Sequence, residues 1–140
     1  MTTVEIEEKE RARDLMQRFR GRLPGFDAMN LETWFRHDLE TVSIAYVREN
    51  GNLVSFALMH QMDFDPWGSH SKPVLMDLIF TKPSCRDQGT ATAILEHLMA
   101  KGWEITALCN GEKSKEFFVS RGYKHVDMYL GASPVVRKPH

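Results

Sequence analysis

The sequence predicts an α/β fold in which a central mixed sheet of five to seven strands has helices on both faces. Asn50-Gly51, the strongest short-range hairpin signal, separates two apolar segments, residues 41–48 and 52–62, which predicts an antiparallel pair of strands. Farther along, an apolar run at 74–81 precedes a glycine-containing loop, an amphipathic helix and a second apolar run at 103–109. That order is typical of two parallel strands joined by a right-handed crossover. A hairpin and a crossover in one chain together require a mixed sheet.

Length and composition bound the class of protein. The chain has 140 residues, 42% of them hydrophobic and 26% charged, which is typical of one soluble globular domain spanning residues 1–140. A net charge of −1 gives no general attraction to nucleic acid or to an anionic membrane. No apolar run approaches the roughly 20 residues that span a bilayer, and the acidic N-terminus does not look like a signal peptide. Because Cys85 and Cys109 show no paired spacing, we expect reduced thiols and a cytoplasmic protein.

The N-terminal region is predicted to be mainly helical. Residues 3–6 fit either a short strand or an immediate helix start, since Thr2 and Glu5 have the spacing of a capping box. A helix is predicted over 7–20, where acidic residues come first and arginines follow, as the helix dipole prefers. Its buried face is predicted to consist of Ala12, Leu15, Met16 and Phe19.

A second helix is predicted after a break at residues 21–27, which contain proline and glycine. Asn30 is predicted to cap this helix. Its buried residues are predicted to be Leu31, Trp34, Phe35 and Leu39. The hairpin strands 41–48 and 52–62 follow, and the polar residues 62–72 are predicted to form a loop.

The C-terminal half alternates strands and helices. The crossover helix is predicted to end at Gly102, and the next helix at Gly122, since glycine favours the left-handed conformation after a helix. The last ten residues fit either a loose tail or a short final strand. In order, the predicted elements are strand 74–81, helix 89–101, strand 103–109, helix 111–121, strand 123–130 and segment 131–140.

The loop before the crossover helix has the features of an anion site. Its main-chain N–H groups converge at a helix N-terminus, where the helix dipole favours negative charge, and Gly89 allows close approach of a ligand. A single glycine is also compatible with an ordinary strand-to-helix turn. Residues 79–91, Ile-Phe-Thr-Lys-Pro-Ser-Cys-Arg-Asp-Gln-Gly-Thr-Ala, resemble the cofactor-binding signature of the GNAT superfamily of acyl-CoA-dependent N-acyltransferases. In that signature, a strand ends about three residues before R/Q-x-x-G-x-G/A, and Arg86, Gly89 and Ala91 occupy its defined positions.

A second segment extends the resemblance. Family members carry a later helix patterned N-x-x-A-x-x-L/F-Y-x-x-x-G-F, to which residues 114–123 are similar, with Phe117 at the Leu/Phe position and Gly122-Tyr123 at the Gly-Phe position. The departures are Ser114 in place of Ala, Gly111 in place of Asn with Asn110 one residue earlier, and Phe118 in place of Tyr. The combined resemblance covers about residues 42–130, and the order of elements is also that of the GNAT fold.

The resemblance implies acetyl-CoA as the acyl-donor cosubstrate. Strands 74–81 and 103–109 are then expected to splay apart, with the pantetheine arm pairing with main-chain groups near 79–81. The pyrophosphate is expected on the N–H groups of 88–92, close to the side chain of Arg86. A main-chain N–H at about Ile79 or Phe80 would stabilise the thioester oxygen as negative charge develops. The implied cofactor-binding residues are Ile79, Phe80, Thr81, Arg86, Asp87, Gln88, Gly89, Thr90, Ala91, Thr92 and Asn110.

Asp77 is the candidate general base. A lysine-like amine has a pKa of about 10.4, so at neutral pH a base must help to remove its proton before it attacks. Asp77 is the only charged residue in 74–80, and strand alternation predicts that it shares a face with Ile79 and Thr81. A core carboxylate bonded to neighbouring donors is the alternative interpretation. Some family members place a glutamate on this face one step earlier, where this chain has Leu75.

The general acid is not evident. Many relatives protonate the departing thiolate with the Tyr of the second motif, but Phe118 has no ionisable proton, and a packing role is the simpler interpretation. A thiol with a pKa of about 8.5 can also leave without much help. Conceivable substitutes are Ser114, Ser120, Tyr123 and Tyr129.

The acceptor is expected to be a small-molecule amine or a protein amine, and the protein a monomer or homodimer. In relatives, the break between the first two helices lines the acceptor pocket, which suggests Phe26 and Asp27 as acceptor contacts. No metal is expected. The polar residues His60, Asp63, Asp65 and His70 fit no compact ligand spacing. The competing hypothesis is a non-catalytic module that holds acyl-CoA or a protein partner, which the missing Tyr favours and the intact loop opposes.

Overall fold

The computed structural model describes residues 2–68, 70–129 and 133–138, and its central element is a seven-stranded mixed sheet. The strand order is β1-β2-β3-β4-β5-β7-β6, with β4 and β5 parallel and the other neighbouring pairs antiparallel. The predicted mixed sheet with helices on both faces is therefore confirmed. The elements are β1 Glu5–Glu8, α1 Lys9–Gln17, α2 Gly25–Phe35, β2 Val42–Glu49, β3 Asn52–Gln61, β4 Pro73–Thr81, α3 Thr90–Ala100, β5 Glu104–Leu108, α4 Glu112–Val119, β6 Lys124–Tyr129 and β7 Ser133–Arg137, with short 3₁₀ helices at Leu39–Thr41 and Pro83–Cys85.

Each face of the sheet is covered by a pair of helices. On one face, α1 and α2 bury Met16 and Trp34, and the Trp34 indole N–H donates to the main-chain oxygen of Met59 over 2.9 Å. On the other face, α3 and α4 bury Ile94 and Phe118. Burial on both faces explains why β3 is an almost continuous apolar run rather than an alternating one.

The hairpin prediction is confirmed. Strands β2 and β3 pair antiparallel around Asn50 and Gly51, whose φ values of 52° and 78° are both left-handed, as a type I′ turn requires. Both predicted strands shift by only one residue at their ends.

The N-terminal prediction needs correction. Residues 5–8 form a strand because their main chain pairs with β2 from Ser43 to Tyr46, a partner that lies far away in the sequence. The helix predicted over 7–20 consequently begins later and is shorter, Lys9–Gln17. Its inward face is as predicted, with Ala12 and Met16 fully buried.

The second helix also begins at a different place. Pro24, in an extended conformation, is the N-cap, and the helix starts at Gly25, so the prediction that Asn30 caps it is wrong. Phe26 and Asp27 therefore lie in the first turn of a helix and not in a loop. Asn30 lies mid-helix, where its side-chain amide donates to the main-chain oxygen of Asp77 over 2.9 Å. Leu39 belongs to a separate 3₁₀ turn.

Of the two alternatives for the last segment, the short strand holds. Strand β7 lies between β5 and β6, so it is an inner strand of the sheet and not an edge strand. The predicted end of the preceding strand at 130, and residues 131–132 and 139–140 of the last segment, lie outside the described residues.

Strands β4 and β5 separate part of the way along their length. They pair over Pro73–Met76, after which β4 runs on to Thr81 without β5. At this point the ladder between β3 and β4 has a bulge, since Leu58 pairs with Leu78 and Met59 pairs with Met76. Asp77 is the additional residue, which shifts the strand alternation by one.

Candidate functional site

A cleft opens where β4 leaves β5. It encloses a cavity of about 740 Å³ between the end of β4, the loop after it, the first turn of α3 and one face of α4. Main-chain groups of β4 that point away from β3 face this space, because an antiparallel ladder bonds to its partner on one side only. The lining residues are Asp27, Ile79, Phe80, Thr81, Arg86, Asp87, Gly89, Thr90, Ala91, Thr92, Asn110, Lys113, Ser114, Phe117 and Arg121.

The cleft brings together most of the residues predicted from the sequence. Within the described part of the chain, the predicted cofactor residues all line it except Gln88. Of the two predicted acceptor contacts, Asp27 lines the cleft and Phe26 does not. Asp77 is likewise not a lining residue.

Four lining residues are not among the predicted cofactor, base or acceptor residues, although one of them, Ser114, is a conceivable substitute for the missing tyrosine. They are spaced along α4 and just beyond it so that they share one helical face, which is a signal that the sequence carries. The four residues are Lys113, Ser114, Phe117 and Arg121.

The loop before α3 presents an open helix N-terminus. Asp87 and Gly89 have φ values of 65° and 80°, which turn the chain sharply into the helix. No side chain caps α3, and its first main-chain bond runs from the Ala93 N–H to the Gly89 oxygen. The N–H groups of the first helical turn therefore lack intrahelical acceptors. A Cβ atom built on Gly89 meets nothing within 4 Å, so the space in front of the loop is free.

Arg121 ties α4 to the first turn of α3. Its Nε and Nη2 donate to Thr92 Oγ1 over 3.0 and 2.7 Å, and its Nη1 donates to the main-chain oxygen of Phe117 over 2.7 Å. The guanidinium also lies 3.8 Å from the Phe117 ring centroid. Together with Arg86 and Lys113, it gives the cleft three cationic lining residues.

Asp27 and Asn110 meet at the edge of the cleft. The Asn110 side-chain amide, just after β5, donates to Asp27 Oδ1 over 3.0 Å and so links α2 to the wall formed by β5. Burial raises the pKa of Asp27, while the bond from Asn110 and the charge of Arg86 act in the opposite direction. A half-buried carboxylate at this place can attract a cationic group.

Asp77 lies on the α1 and α2 face of β4, together with two histidines. Its Oδ2 is 2.7 Å from His60 Nδ1, its Oδ1 is 3.5 Å from His37 Nε2, and the two imidazole rings stack with centroids 3.5 Å apart. Ile79 instead packs with the core on the α3 side, so the prediction that Asp77 shares its face is wrong. The bulge in β4 shifts the alternation of side chains by one residue, which explains why Asp77 and Ile79 lie on opposite faces. We refer to His37, His60 and Asp77 as the histidine–aspartate cluster.

The remaining members of the polar loop do not join this cluster. Asp65 accepts from Arg137 Nη2 over 2.8 Å, and His70 Nδ1 lies 2.5 Å from the same nitrogen. Burial raises the pKa of Asp65, but bonds from Arg137 and from the main-chain N–H groups of His70 and Trp67 outweigh it and lower the value to about 2. These residues attach the loop to β7.

The structure confirms the packing interpretation of Phe118. Its ring is fully buried and makes edge contacts with Phe117 and Tyr123, with centroids 5.2 Å apart in both cases. Among the conceivable substitutes for the tyrosine, Tyr123 is buried, with a pKa raised by burial, and Ser114 lines the cleft.

The other two conceivable substitutes for the tyrosine, and Cys109, are not among the residues that line the cleft. The Ser120 hydroxyl donates to the main-chain oxygen of Phe117, and Tyr129 is exposed on β6. Cys109 is buried next to the cleft, and burial raises the pKa of its thiol to about 11, so the side chain is a neutral thiol at pH 7.

Comparison with known proteins identifies the family. Residues 8–123 match the model of the acetyltransferase (GNAT) family, and this chain therefore belongs to that family. No curated protein sequence matches the chain. Among the described residues, none of the helices has the length and apolar character to cross a membrane.

Several solved structures share the fold at low sequence identity. The Bacillus subtilis N-acetyltransferase YlbP in complex with coenzyme A has a TM-score of 0.65 at 18% identity, covering 99% of this chain and 97% of its own. AAC(6′)-Iy, solved with the bisubstrate analogue CoA-S-monomethyl-acetylneamine, has a TM-score of 0.63 at 16% identity, with 92% and 95% coverage. Arabidopsis thaliana Naa50, in complex with the bisubstrate analogue CoA-Ac-MVNAL, has a TM-score of 0.63 at 12% identity, with 98% and 99% coverage.

Proposed function

We propose that this protein is an acetyl-CoA-dependent N-acetyltransferase that acetylates a primary amine by direct attack within a ternary complex. The observation that carries the proposal is the cleft between β4 and β5, which leads to an uncapped helix N-terminus with free space in front of Gly89. Solved relatives with the same fold contain coenzyme A or coenzyme A conjugates, in agreement with this assignment. Acetyl-CoA, when bound, supplies an activated acetyl thioester.

The residues of the cleft fit a diphosphate and its attached arm. The N–H groups at the start of α3 and the positive end of its dipole favour an anion, and Arg86 and Arg121 add positive charge. The main chain of β4 from Ile79 to Thr81, which β5 leaves unpaired, supplies N–H and C=O groups for the amide groups of the pantetheine arm. Its N–H groups near Ile79 or Phe80 would also stabilise the oxygen of the thioester carbonyl during attack.

Asp77 is proposed as the base that accepts the amine proton. It lies at the bulge, one residue beyond the last paired residue of β4, which is where the two strands begin to separate. Because Asp77 is buried and does not line the cleft, the proton would reach it through a water molecule or after a small movement of α2. Asn30 holds the main chain of Asp77 in position.

The acceptor is proposed to be an amine on a small molecule or a protein, and Asp27 is proposed to attract it as a cation. Phe26 is exposed on the same helical turn and would contact the acceptor from outside the cleft. Relatives of the same fold were solved with analogues of both acceptor classes, an aminoglycoside-type molecule and a peptide. The leaving thiolate is proposed to depart without an enzymic proton donor, because Phe118 is buried and has no ionisable group.

A non-catalytic module that only holds acyl-CoA is the second candidate. Two observations favour it, namely the buried phenylalanine in place of the usual tyrosine and the pairing of Asp77 with His60. This candidate predicts cofactor binding without turnover.

Two measurements test these proposals in sequence. Acetyl-CoA should raise the midpoint of thermal unfolding, while free acetate at the same concentration should not, because binding to the folded state alone stabilises it. Release of free thiol is then followed with a panel of aminoglycosides, polyamines, amino acids and peptides with free N-termini. Stabilisation without thiol release for any amine would favour the non-catalytic module, and no stabilisation at all would refute both candidates.

A further inference from the structure

The histidine–aspartate cluster brings together three typical metal ligands from three separate elements. His37 follows α2, His60 lies on β3 and Asp77 lies at the bulge of β4. One ligand atom from each residue lies within 4.8 Å of the other two. The cluster lies outside the lining of the cleft, so the cavity for the cofactor does not explain it.

The cluster has a ligand atom without a partner. His37 Nε2 is shielded from solvent and makes no hydrogen bond, although Asp77 Oδ1 is 3.5 Å away. A buried nitrogen without a partner is unfavourable, so a group that satisfies it would be favoured.

We propose that His37, His60 and Asp77 form a binding site for a divalent transition-metal ion of the zinc type. Two neutral imidazoles and one carboxylate are a donor set that zinc accepts, with a fourth position left for water. Imidazole ligands favour such an ion over magnesium or calcium, which prefer oxygen. The sequence did not indicate this site, because the spacing of its ligands is irregular.

The distances identify what must move when the ion binds. Zinc bonds of about 2.0–2.2 Å in a tetrahedral site place neighbouring ligand atoms roughly 3.4 Å apart. His37 Nε2 lies 3.5 Å from Asp77 Oδ1, and His60 Nδ1 lies 2.7 Å from the other oxygen, Oδ2. The carboxylate must therefore shift so that one of its oxygens faces the ion, and the short contact with His60 must lengthen as the ion takes the place of the hydrogen bond. The rings are inclined by only 20°, so one of them must turn to direct its lone pair at the ion.

His37 is the ring that has room to turn. Its side chain is 30% exposed, whereas those of His60 and Asp77 are 11% and 5% exposed. It also lies beyond the end of α2, so its main chain is not part of a helix or of the sheet. The same exposure gives an ion access to the cluster from solvent.

Metal binding would compete with the proposed chemistry. If Asp77 ligates the ion, its carboxylate no longer accepts a proton from the amine, so zinc would lower the acetylation rate without lowering the affinity for acetyl-CoA. This consequence rests on the proposed function, but the metal binding itself does not.

The test is a titration of the chelator-treated, tag-free protein with Co²⁺ and Zn²⁺ in the absence of acetyl-CoA and amine. We expect one ion per chain by calorimetry, visible absorption bands of four-coordinate Co²⁺ that Zn²⁺ removes, and a higher unfolding temperature with either ion. His37→Ala and Asp77→Asn should each weaken metal binding by at least about tenfold. Removal of a residue that only hydrogen-bonds to a metal ligand already causes a loss of this size.

His97→Ala is the matched control, since His97 lies in the last turn of α3, outside the cluster. It should keep the affinity of the unchanged protein. The proposal is overturned if the unchanged protein binds no ion with one-to-one stoichiometry, or if His37→Ala and His97→Ala bind equally well. Because no acetyl-CoA or amine is present, failure here is distinct from failure of the proposed transferase activity.

Discussion

The two sides of β4 beyond its bulge differ in what they offer a ligand. Toward β5, the strand faces an open cleft whose recognition groups are mainly main-chain N–H and C=O groups and one uncapped helix N-terminus. Toward α2, the carboxylate of Asp77 is buried against His60 and His37. A backbone site tolerates many side chains as long as the chain turns correctly, whereas a side-chain site depends on particular residues from distant parts of the sequence.

Blocking the cleft on the β5 side of β4 should have the largest effect, which is on acetyl-CoA binding. Gly89→Trp is expected to abolish acetyl-CoA binding, measured by calorimetry or thermal shift, because the indole would occupy the free space in front of the loop. Gly102→Trp is the matched control. Gly102 also has a φ of 80° and open space around it, but it lies beyond the opposite end of α3. Both variants carry the same backbone strain of about 1–2 kcal/mol, so equal loss of affinity in both would place the cofactor elsewhere.

Removing the charge of Asp77, on the side of β4 that faces α2, should have the next largest effect, which is on the acetylation rate. Asp77→Asn is expected to lower the acetylation rate about 100-fold at neutral pH, with recovery as the pH approaches the amine pKa of about 10.4, where the amine loses its proton unaided. Stabilisation by acetyl-CoA should stay unchanged, which separates the two sides of the strand. A rate loss that is the same at every pH would show that Asp77 is structural.

Asp27 lies between the two regions and should have a smaller effect on both binding and stability. Asp27→Asn is expected to raise the KM for a cationic acceptor about fivefold, which corresponds to about 1 kcal/mol for a partly exposed ion pair. The amide can still accept a bond from Asn110, so the link between α2 and the end of β5 should remain.

The same variant has a defined pH dependence of stability. Since burial raises the pKa of Asp27 in the folded state, the ionised carboxylate favours the unfolded chain, and stability falls as the pH rises through the folded-state pKa. Asp27→Asn should therefore be slightly more stable than the unchanged protein at pH 7 and equal to it below the unfolded-state pKa of about 3.9. Urea unfolding at both pH values measures this. Asp63→Asn, an exposed carboxylate outside the cleft, should change neither quantity.

A pair of adjacent substitutions should give the smallest effect on rate. Phe117→Tyr adds a hydroxyl group to a ring that lines the cleft, and a modest rise in turnover is expected if thiolate protonation limits the rate. Phe118→Tyr adds the same group to a fully buried ring, so it should give no such rise and should lower the free energy of unfolding by about 1–3 kcal/mol. Higher turnover from Phe118→Tyr alone would show that its ring reaches the cleft during catalysis.

Most of the fold was predictable because its signals are local. Asn50-Gly51 defines the hairpin within a few residues, and the strand, glycine loop and helix around Gly89 define the parallel crossover. Strand β1 was not decided by the sequence, because its pairing partner in β2 is distant and its own residues also suit a helix. The start of α2 was wrong because Pro24 was interpreted as a breaker and not as the cap that it is.

The cofactor part of the candidate site was predictable for the same reason, because its sequence signal is local. Most of the cofactor residues lie in one continuous motif, and they do line the cleft, although their roles stay predictions. The surroundings of Asp77 were not predictable, since His37 and His60 are distant in sequence and the bulge reverses the expected face. Strand alternation holds only while both strands of a ladder advance residue by residue, and a bulge breaks that condition without a clear sequence signal.

The direction of β7 has a practical consequence for attaching the protein to a surface. Strand β7 runs antiparallel to β5, with Arg137 opposite Thr106, and β5 ends beside Asn110 at the cleft. The chain therefore passes Lys138 at the end of the sheet that is opposite the cleft. A tether joined beyond this residue would therefore attach the molecule to a sensor chip through the end of the sheet that lies away from the cavity, and would leave the cavity accessible.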